Sequence, residues 1–276
     1  MTQASEPVGT RTKTVPHGGY DAAWFEVLAK VEERHFWFRA RNNVIAAAME
    51  PLGLELGSNA RVLEVGCGNG NVLPVLRKIF PRGRLVGMDL FQEGLNYSRR
   101  RCECELVEGD VLHAPFPGGS FDVVGMFDVL EHIENDRAAL GALHALLAPG
   151  GALVLTVPAN PRLWSYFDEV AGHYRRYLVS ELAGKLEAIG FQVSRMSHFM
   201  ATILPLVWAA RVGRRHRPVA KESADGFQRA REEFKVRPGI NGALLWLLGW
   251  ERRWISLGRG LPCGTSLLAI ARKPRL

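Results

Sequence analysis

Four residues, Val62-Leu63-Glu64-Val65, run straight into Gly66-Cys67-Gly68-Asn69-Gly70, and a helix-forming stretch opens near Asn71. Glycine is needed where the backbone turns at positive φ, or where a ligand must reach the main chain with no Cβ in the way. A strand that enters a helix through such a turn begins a βαβ unit, and the ligand crevice of an open α/β sheet lies at turns of this kind. The rest of the chain keeps that alternation. Strands are expected at 61–66, 84–90, 104–109, 121–128 and 152–158, with helices at 71–80, 92–101, 136–147 and 180–189. The run Leu153-Val154-Leu155-Thr156-Val157 shows little polar alternation, as a sheet buried on both faces requires. The expected class is therefore α/β, a parallel sheet with helices on both sides.

Helices are expected at 21–34 and 36–49, the second stopping before Pro51 and Gly53. Strands 191–199 and 265–273 close the chain. Between them lie about 60 residues, alternately basic and apolar, too long a stretch to be a bare loop. The expected division is a mobile tail at 1–20, a helical segment at 21–60 and an α/β core at 61–200. A basic, apolar helical insertion at 201–262 and a final strand at 263–276, completing the core sheet, follow.

Composition narrows the setting. The 276 residues, 47% hydrophobic and 23% charged, exclude a disordered or coiled-coil chain and suffice for a sizeable core. Cys67, Cys102, Cys104 and Cys263 form no Cys-x-x-Cys pair, so neither a disulfide framework nor a structural zinc is expected, and the chain reads as cytoplasmic. Residues 1–194 hold 19 Lys/Arg against 23 Asp/Glu, whereas 195–276 hold 16 against 5. A balance so concentrated in one third argues against a nucleic-acid binder of evenly basic surface. Residues 1–20 lack the apolar core of a secretory signal, and no stretch reaches the roughly 18 apolar residues of a membrane span.

The glycine loop identifies the ligand class. A dinucleotide site uses Gly-x-Gly-x-x-Gly; here the spacing is Gly-x-Gly-x-Gly, with Glu64 two positions before the first glycine. A carboxylate at that point suits a ligand with a cationic end better than a diphosphate, which favours S-adenosylmethionine. Asp89 ends the second strand, where a carboxylate accepts hydrogen bonds from ribose hydroxyls. Asp110 ends the third, in reach of an adenine amino group. Each acid alone reads as a helix cap or a solvated loop residue. Three at consecutive strand ends after a glycine loop do not.

With Ser120-Phe121-Asp122-Val123-Val124 and Leu147-Ala148-Pro149-Gly150-Gly151 added, the sequence over 61–158 resembles the class I S-adenosylmethionine-dependent methyltransferases. The resemblance implies a Rossmann-like seven-stranded sheet, mostly parallel, whose antiparallel last strand is inserted between the fifth and sixth. It implies that Glu64, Gly66, Cys67, Gly68 and Gly70 pass the methionine portion. Asp89 with Leu90 would hold the ribose, Asp110 with Val111 the adenine, and Phe127 would border the site. The helices over 21–60 become a lid, with Trp37 and Arg39 closing over the crevice.

Methyl transfer from a sulfonium is an in-line displacement, and a hydroxyl acceptor gains from a base that takes its proton. Asp128, Glu131 and His132 follow the fourth strand at i, i+3 and i+4, one face of a helical turn. The segment is similar to one in ubiquinone-pathway O-methyltransferases. Its readings are a general base at His132, a hard-cation site or turn capping. The base is preferred and no metal is expected. A second cluster, Trp164, Tyr166 and Asp168, then His173 and Tyr177, follows the fifth strand and is expected to line the acceptor pocket, with His173 and Asp128 as further catalytic candidates. The alternative is a loop tied to the sheet by Arg and Tyr contacts.

In the insertion, Trp246, Trp250 and Trp254 form one helical stripe beside Arg252 and Arg253. Such a stripe is more often core, so a cap packed on the sheet or on a second subunit is preferred over an interfacial helix at the inner face of a membrane. The expected function is O-methylation of a small or lipid-like hydroxylated acceptor. The alternatives are C- or N-methylation, a NAD-dependent oxidoreductase on a related fold, or a non-catalytic cofactor-binding, membrane-recruited protein. Nucleic acid is not an expected substrate, because the fourth strand ends Phe127-Asp128-Val129-Leu130, without the Pro-Pro-aromatic grip on a flipped base.

Overall fold

The computed structural model describes residues 23–212, 228 and 231–275. One seven-stranded sheet forms its centre: β1 (Val62–Val65), β2 (Leu85–Asp89), β3 (Glu105–Glu108), β4 (Phe121–Phe127), β5 (Leu147–Pro158), β6 (Gln192–Phe199) and β7 (Ser266–Arg272). The spatial order is β3-β2-β1-β4-β5-β7-β6. Strand β1 pairs in parallel with β2 and β4, and β7 runs antiparallel to β5 and β6. The helices are α1 (Ala23–Val31), α2 (Phe36–Leu56), α3 (Leu73–Ile79), α4 (Gln92–Ser98), α5 (Asp136–Leu146), α6 (Tyr166–Val170), α7 (Val179–Ile189), α8 (Leu204–Val212) and α9 (Pro238–Ser256).

Successive strand side chains point to opposite faces, and here both faces are apolar. Val62, Ala152 and Val154 join Ile45 and Met49 of α2, Leu73 and Leu76 of α3 and Leu248 and Ile255 of α9. Leu63, Leu153 and Leu155 join Leu140 and Leu143 of α5 and Leu182 and Leu186 of α7 on the other side. This double burial explains why the strands read as unbroken apolar runs.

Three expectations need correction. Helix α2 continues through Pro51 to Leu56 instead of ending before it. Pro51 costs the helix one N–H bond and crowds the carbonyl a turn back, but α2 stays packed on α3, which Gly53 lets close in: a Cβ there would lie 2.5 Å from Ile79 Cγ2. Strand β5 starts at Leu147, five residues early, because Leu147 pairs with Phe121 and the Gly150 N–H donates to Lys273 O at 2.9 Å. The tryptophan stripe of α9 does not face the core. Asn241, Leu248, Glu251 and Ile255 are the buried side of that helix. Asn241 accepts from Phe36 N at 2.6 Å and donates to Arg34 O at 2.9 Å. Glu251 accepts from Thr202 N and Oγ1 at 2.7 and 2.6 Å. These internal partners dock α9 by its polar side, so Trp246, Trp250 and Trp254 face outward.

The tail at 1–20 and the arginines Arg214, Arg215 and Arg217 lie outside the described residues. Among the described residues, no helix is long and apolar enough to cross a membrane.

Candidate active site

The turn after β1 places Gly66, Gly68 and Gly70 at φ +70°, +51° and +73°, the left-handed region in which a side chain is strained. Their surroundings differ. A Cβ at Gly66 would lie 2.5 Å from Val129, and one at Gly70 would meet Ser98 at 2.7–3.0 Å. A Cβ at Gly68 would meet only the Phe25 ring, at 3.6 Å. Gly66, Cys67 and Gly68 line a cavity of about 490 Å³; Gly70 instead allows close packing of α4.

The strand-end carboxylates meet at that cavity. Glu64, Asp89 and Asp110 all line it, with Leu90, Val111 and Phe127. Asp89 organises the loop: Oδ2 accepts from Gly68 N at 2.7 Å and Oδ1 from Phe91 N at 2.9 Å. Burial pushes its carboxyl up to about 6, against the pull of those N–H groups. Asp110 Oδ1 accepts from Leu112 N at 3.0 Å and opens a 3-10 turn over 111–113. Glu64 is buried, and its Oε2 has no hydrogen-bond partner. Burial raises this carboxyl to about 8, opposed by the nearby Arg41 charge.

The two N-terminal helices supply the opposite wall through Trp24, Phe25, His35, Trp37, Phe38 and Arg41. Here the expected residue is one helical step out: Arg39 is exposed, whereas Arg41 is buried and reaches the sheet. Its Nη1 pairs with Asp128 Oδ2 at 3.0 Å and Nη2 donates to Asn71 Oδ1 at 3.2 Å, with the Trp37 and Phe38 rings alongside. Asn42 adds bonds to Asn71 O and Oδ1 at 3.0 and 2.7 Å. Asp128 sits at φ +55°, and its carboxylate is engaged by Arg41. Phe234 packs against Trp24, His35, Phe38 and Phe167, extending the aromatic wall.

Glu131, His132 and His173 also line the cavity. The rings of His132 and His173 meet edge to face at 4.7 Å. One potential ligand atom from each of the three lies within 4.8 Å of the others, close enough for a cation. Burial, reinforced by His173, lowers His132 to about 3, so its imidazole stays neutral and is a weak base. Burial, then the Asp128 charge, raises Glu131 well above the usual carboxylate range. His173 Nδ1 lies 3.0 Å from Asp168 Oδ1, which also accepts from Arg176 Nε at 2.7 Å. Burial alone would raise Asp168, but His173 and Arg176 outweigh it and hold the carboxyl at about 2.

Four expected pocket residues lie behind this wall. Asp168 is fully buried and braces His173 and the Ser165 backbone N–H. Tyr177 is a core residue donating to Asp136 Oδ2 at 3.0 Å. Trp164 donates to Glu169 at 3.3 Å, and Tyr166 donates to Glu233, itself in the cavity wall. Trp24, Phe25 and Phe234 were not foreseen. Phe38 and Arg41 belong to the segment expected as a lid, and helical phase places them with Trp37 on one face of α2.

Strand order and carboxylate set together define the class I methyltransferase architecture. The methyltransferase-domain family matches residues 37–195, more than half of the chain, and the chain belongs to it, with S-adenosylmethionine as methyl donor. The chain is 34% identical over 108 residues to a demethylmenaquinone methyltransferase of Thermus thermophilus, covering 37% of this chain and 49% of that protein. It is 36% identical over 105 residues to a fatty-acid O-methyltransferase of Mycolicibacterium smegmatis, covering 37% and 38%. The chain thus spans less than half the length of these curated relatives. Among solved structures, a chain of the Haloferax volcanii complex between the Trm112 methyltransferase activator and a methyltransferase superposes with a TM-score of 0.61 at 19% identity, covering 92% of this chain and 96% of that one. That likeness concerns the fold.

Proposed function

We propose that this chain is an S-adenosylmethionine-dependent methyltransferase that O-methylates a small, partly apolar hydroxylated acceptor. The observation that carries the reading is the convergence of Glu64, Asp89 and Asp110, from three consecutive strand ends, on one cavity beside bare main chain. The residues present fit the donor. Gly68 leaves its main chain open, and Glu64 Oε2, buried without a partner, suits the ammonium of an amino acid. When bound, the donor supplies an electrophilic methyl group on a sulfonium that departs as a neutral thioether.

Asp89 has one N–H on each carboxylate oxygen, which leaves acceptor capacity for two ribose hydroxyls. Asp110 and Val111 border the adenine end. The Arg41–Asp128 pair fastens α2 across the crevice and keeps water out. His173, not His132, takes the acceptor proton. Asp168 accepts from Nδ1–H, fixing the tautomer and leaving Nε2 as the basic nitrogen. The neutral His132 ring packs against His173 and positions it. The aromatic wall selects an acceptor with an apolar portion, in keeping with the fatty-acid relative.

The test is incubation of cell extract with methyl-labelled donor, followed by product NMR. An O–CH₃ signal on an extractable metabolite is expected, at a rate unchanged by EDTA. Label on carbon or nitrogen would replace the O-methyl reading. Loss of activity on chelation, restored by a divalent ion, would turn the Glu131–His132–His173 cluster into a cation site.

A further inference from the structure

Among the described residues, most exposed large hydrophobic side chains lie on one segment, α8 through the turn after α9. Trp246, Trp250 and Trp254 are 70%, 65% and 43% exposed, and Leu206, Trp208 and Leu257 exceed 55%. Scattered apolar residues need no explanation, but a stripe in which the Trp246 and Trp250 rings meet at 6.5 Å and Trp254 follows one turn on marks a contact surface. The stripe is also not surplus core, because α9 already has a buried side closed by Asn241 and Glu251.

Charge identifies the occupant. Arg252 and Arg253 are exposed on α9, and Arg259 lies 4.6 Å over the Trp254 ring. Residues 195–276 carry a balance of +11. Tryptophan and leucine flanked by arginine match the boundary between acyl chains and anionic headgroups. A second copy of the same basic face would be repelled. The segment also reaches the cavity: Ile203 and Val207 line it, while Leu206 and Trp208 beside them face outward.

We propose that the outer face of α8 and α9 docks on the surface of an anionic lipid bilayer, with the cavity beside the contact. The surface is independent of the methyl-transfer reading, and its test does not depend on turnover.

The experiment is flotation of the full chain with phosphatidylcholine vesicles and with vesicles containing 30% phosphatidylglycerol. Co-flotation with the anionic vesicles, with a blue shift in tryptophan emission, is expected. The double variant Trp246→Ser/Trp250→Ser should lower the partition coefficient by ~10-fold or more, and 0.5 M salt should weaken it further. Because both rings are exposed, unchanged far-ultraviolet dichroism and donor affinity should accompany that loss. Soluble recovery with both vesicle types, or equal flotation with both, would overturn the proposal. So would a concentration-dependent dimer in light scattering that the double variant abolishes.

Discussion

Glu64 is the residue whose ionisation the bound donor should change most. At about 8, its carboxyl is mostly protonated at pH 7 in the ligand-free protein. An adjacent ammonium favours the ionised form, so binding expels a proton. Calorimetry at pH 7 in two buffers of different ionisation enthalpy should show net proton release that Glu64→Gln abolishes; none in the parent would remove Glu64 from the ammonium site. The stability effect has the opposite direction. A carboxyl raised in the folded state from 4.5 contributes stability fully present below 4.5 and lost as pH rises through about 8, so the ligand-free protein should weaken over that window. Asp89→Ala removes both the proposed ribose acceptor and the anchor of Gly68 N, and donor affinity should fall by ~100-fold or more, the scale of two lost charge-assisted hydrogen bonds. Near-parental binding in the same calorimeter would refute that assignment. His173→Ala should slow transfer by ~10²-fold with donor affinity intact, and Asp168→Asn should reproduce much of the loss by favouring the wrong tautomer. An unchanged pH–rate profile in both variants would return the base role to another group. Glu64 and Asp89 were legible in the sequence because they lie in or end apolar strands, and Asp110 because it follows the next strand in the same alternation. Asp168 and Tyr177 were not, because chain position puts both in the loop after β5 and nothing in their spacing says that they brace the wall from behind.

Helix α2 works as a clamp whose contacts are unequally distributed. Arg41 reaches Asp128 and Asn71, and Asn42 repeats the hold on Asn71, both in the first two turns. Arg41→Ala leaves Asp128 without its partner in a partly buried setting, and truncation of one member of such a pair is costly. Donor should dissociate at least ~10-fold faster, since one such contact is worth more than 1.4 kcal/mol, and amide exchange over 23–45 should accelerate. Arg41→Lys restores only part of the effect, because an ammonium lacks the planar fork that reaches two partners. Equal exchange in parent and Arg41→Ala would mean that the lid is held by its aromatic packing alone. At this scale the central strands of the sheet were readable because burial on both faces leaves continuous apolar runs, and the edge strands β3 and β6 through their place in the alternation. The ends of α2 and β5 were not. Pro51 and the Pro149-Gly150-Gly151 turn carry local stop signals that packing against Ile79 and the pairing of Leu147 with Phe121 of β4 override.

Across the whole molecule, α9 is the element whose role the sequence inverted. Its tryptophans have the periodicity of a core stripe, yet the buried side is built on Asn241 and Glu251, two residues a hydropathy reading assigns to solvent. Specific hydrogen bonds hold the orientation: Asn241 bridges Arg34 O and Phe36 N at the entry to α2, and Glu251 Oε1 accepts from Thr202. The insertion is therefore fastened to the lid and to the end of β6, and Leu248 and Ile255 complete the same apolar layer as Ile45 and Met49. A chain lacking 201–262 loses that layer's cover and leaves the start of α2 without its Asn241 contacts. It should expose apolar surface to a reporter dye and bind donor poorly, instead of behaving as a trimmed core. The same fastening predicts one cooperative transition for the full chain. Near-ultraviolet dichroism, to which the tryptophans of the lid and α9 contribute, and far-ultraviolet dichroism, which reports the helices of every layer, should give coincident thermal midpoints. Donor should raise both by the same amount. A near-ultraviolet transition well below the far-ultraviolet one, unmoved by donor, would show that the insertion is a separate unit and that its bonds to α2 do not couple it to the site.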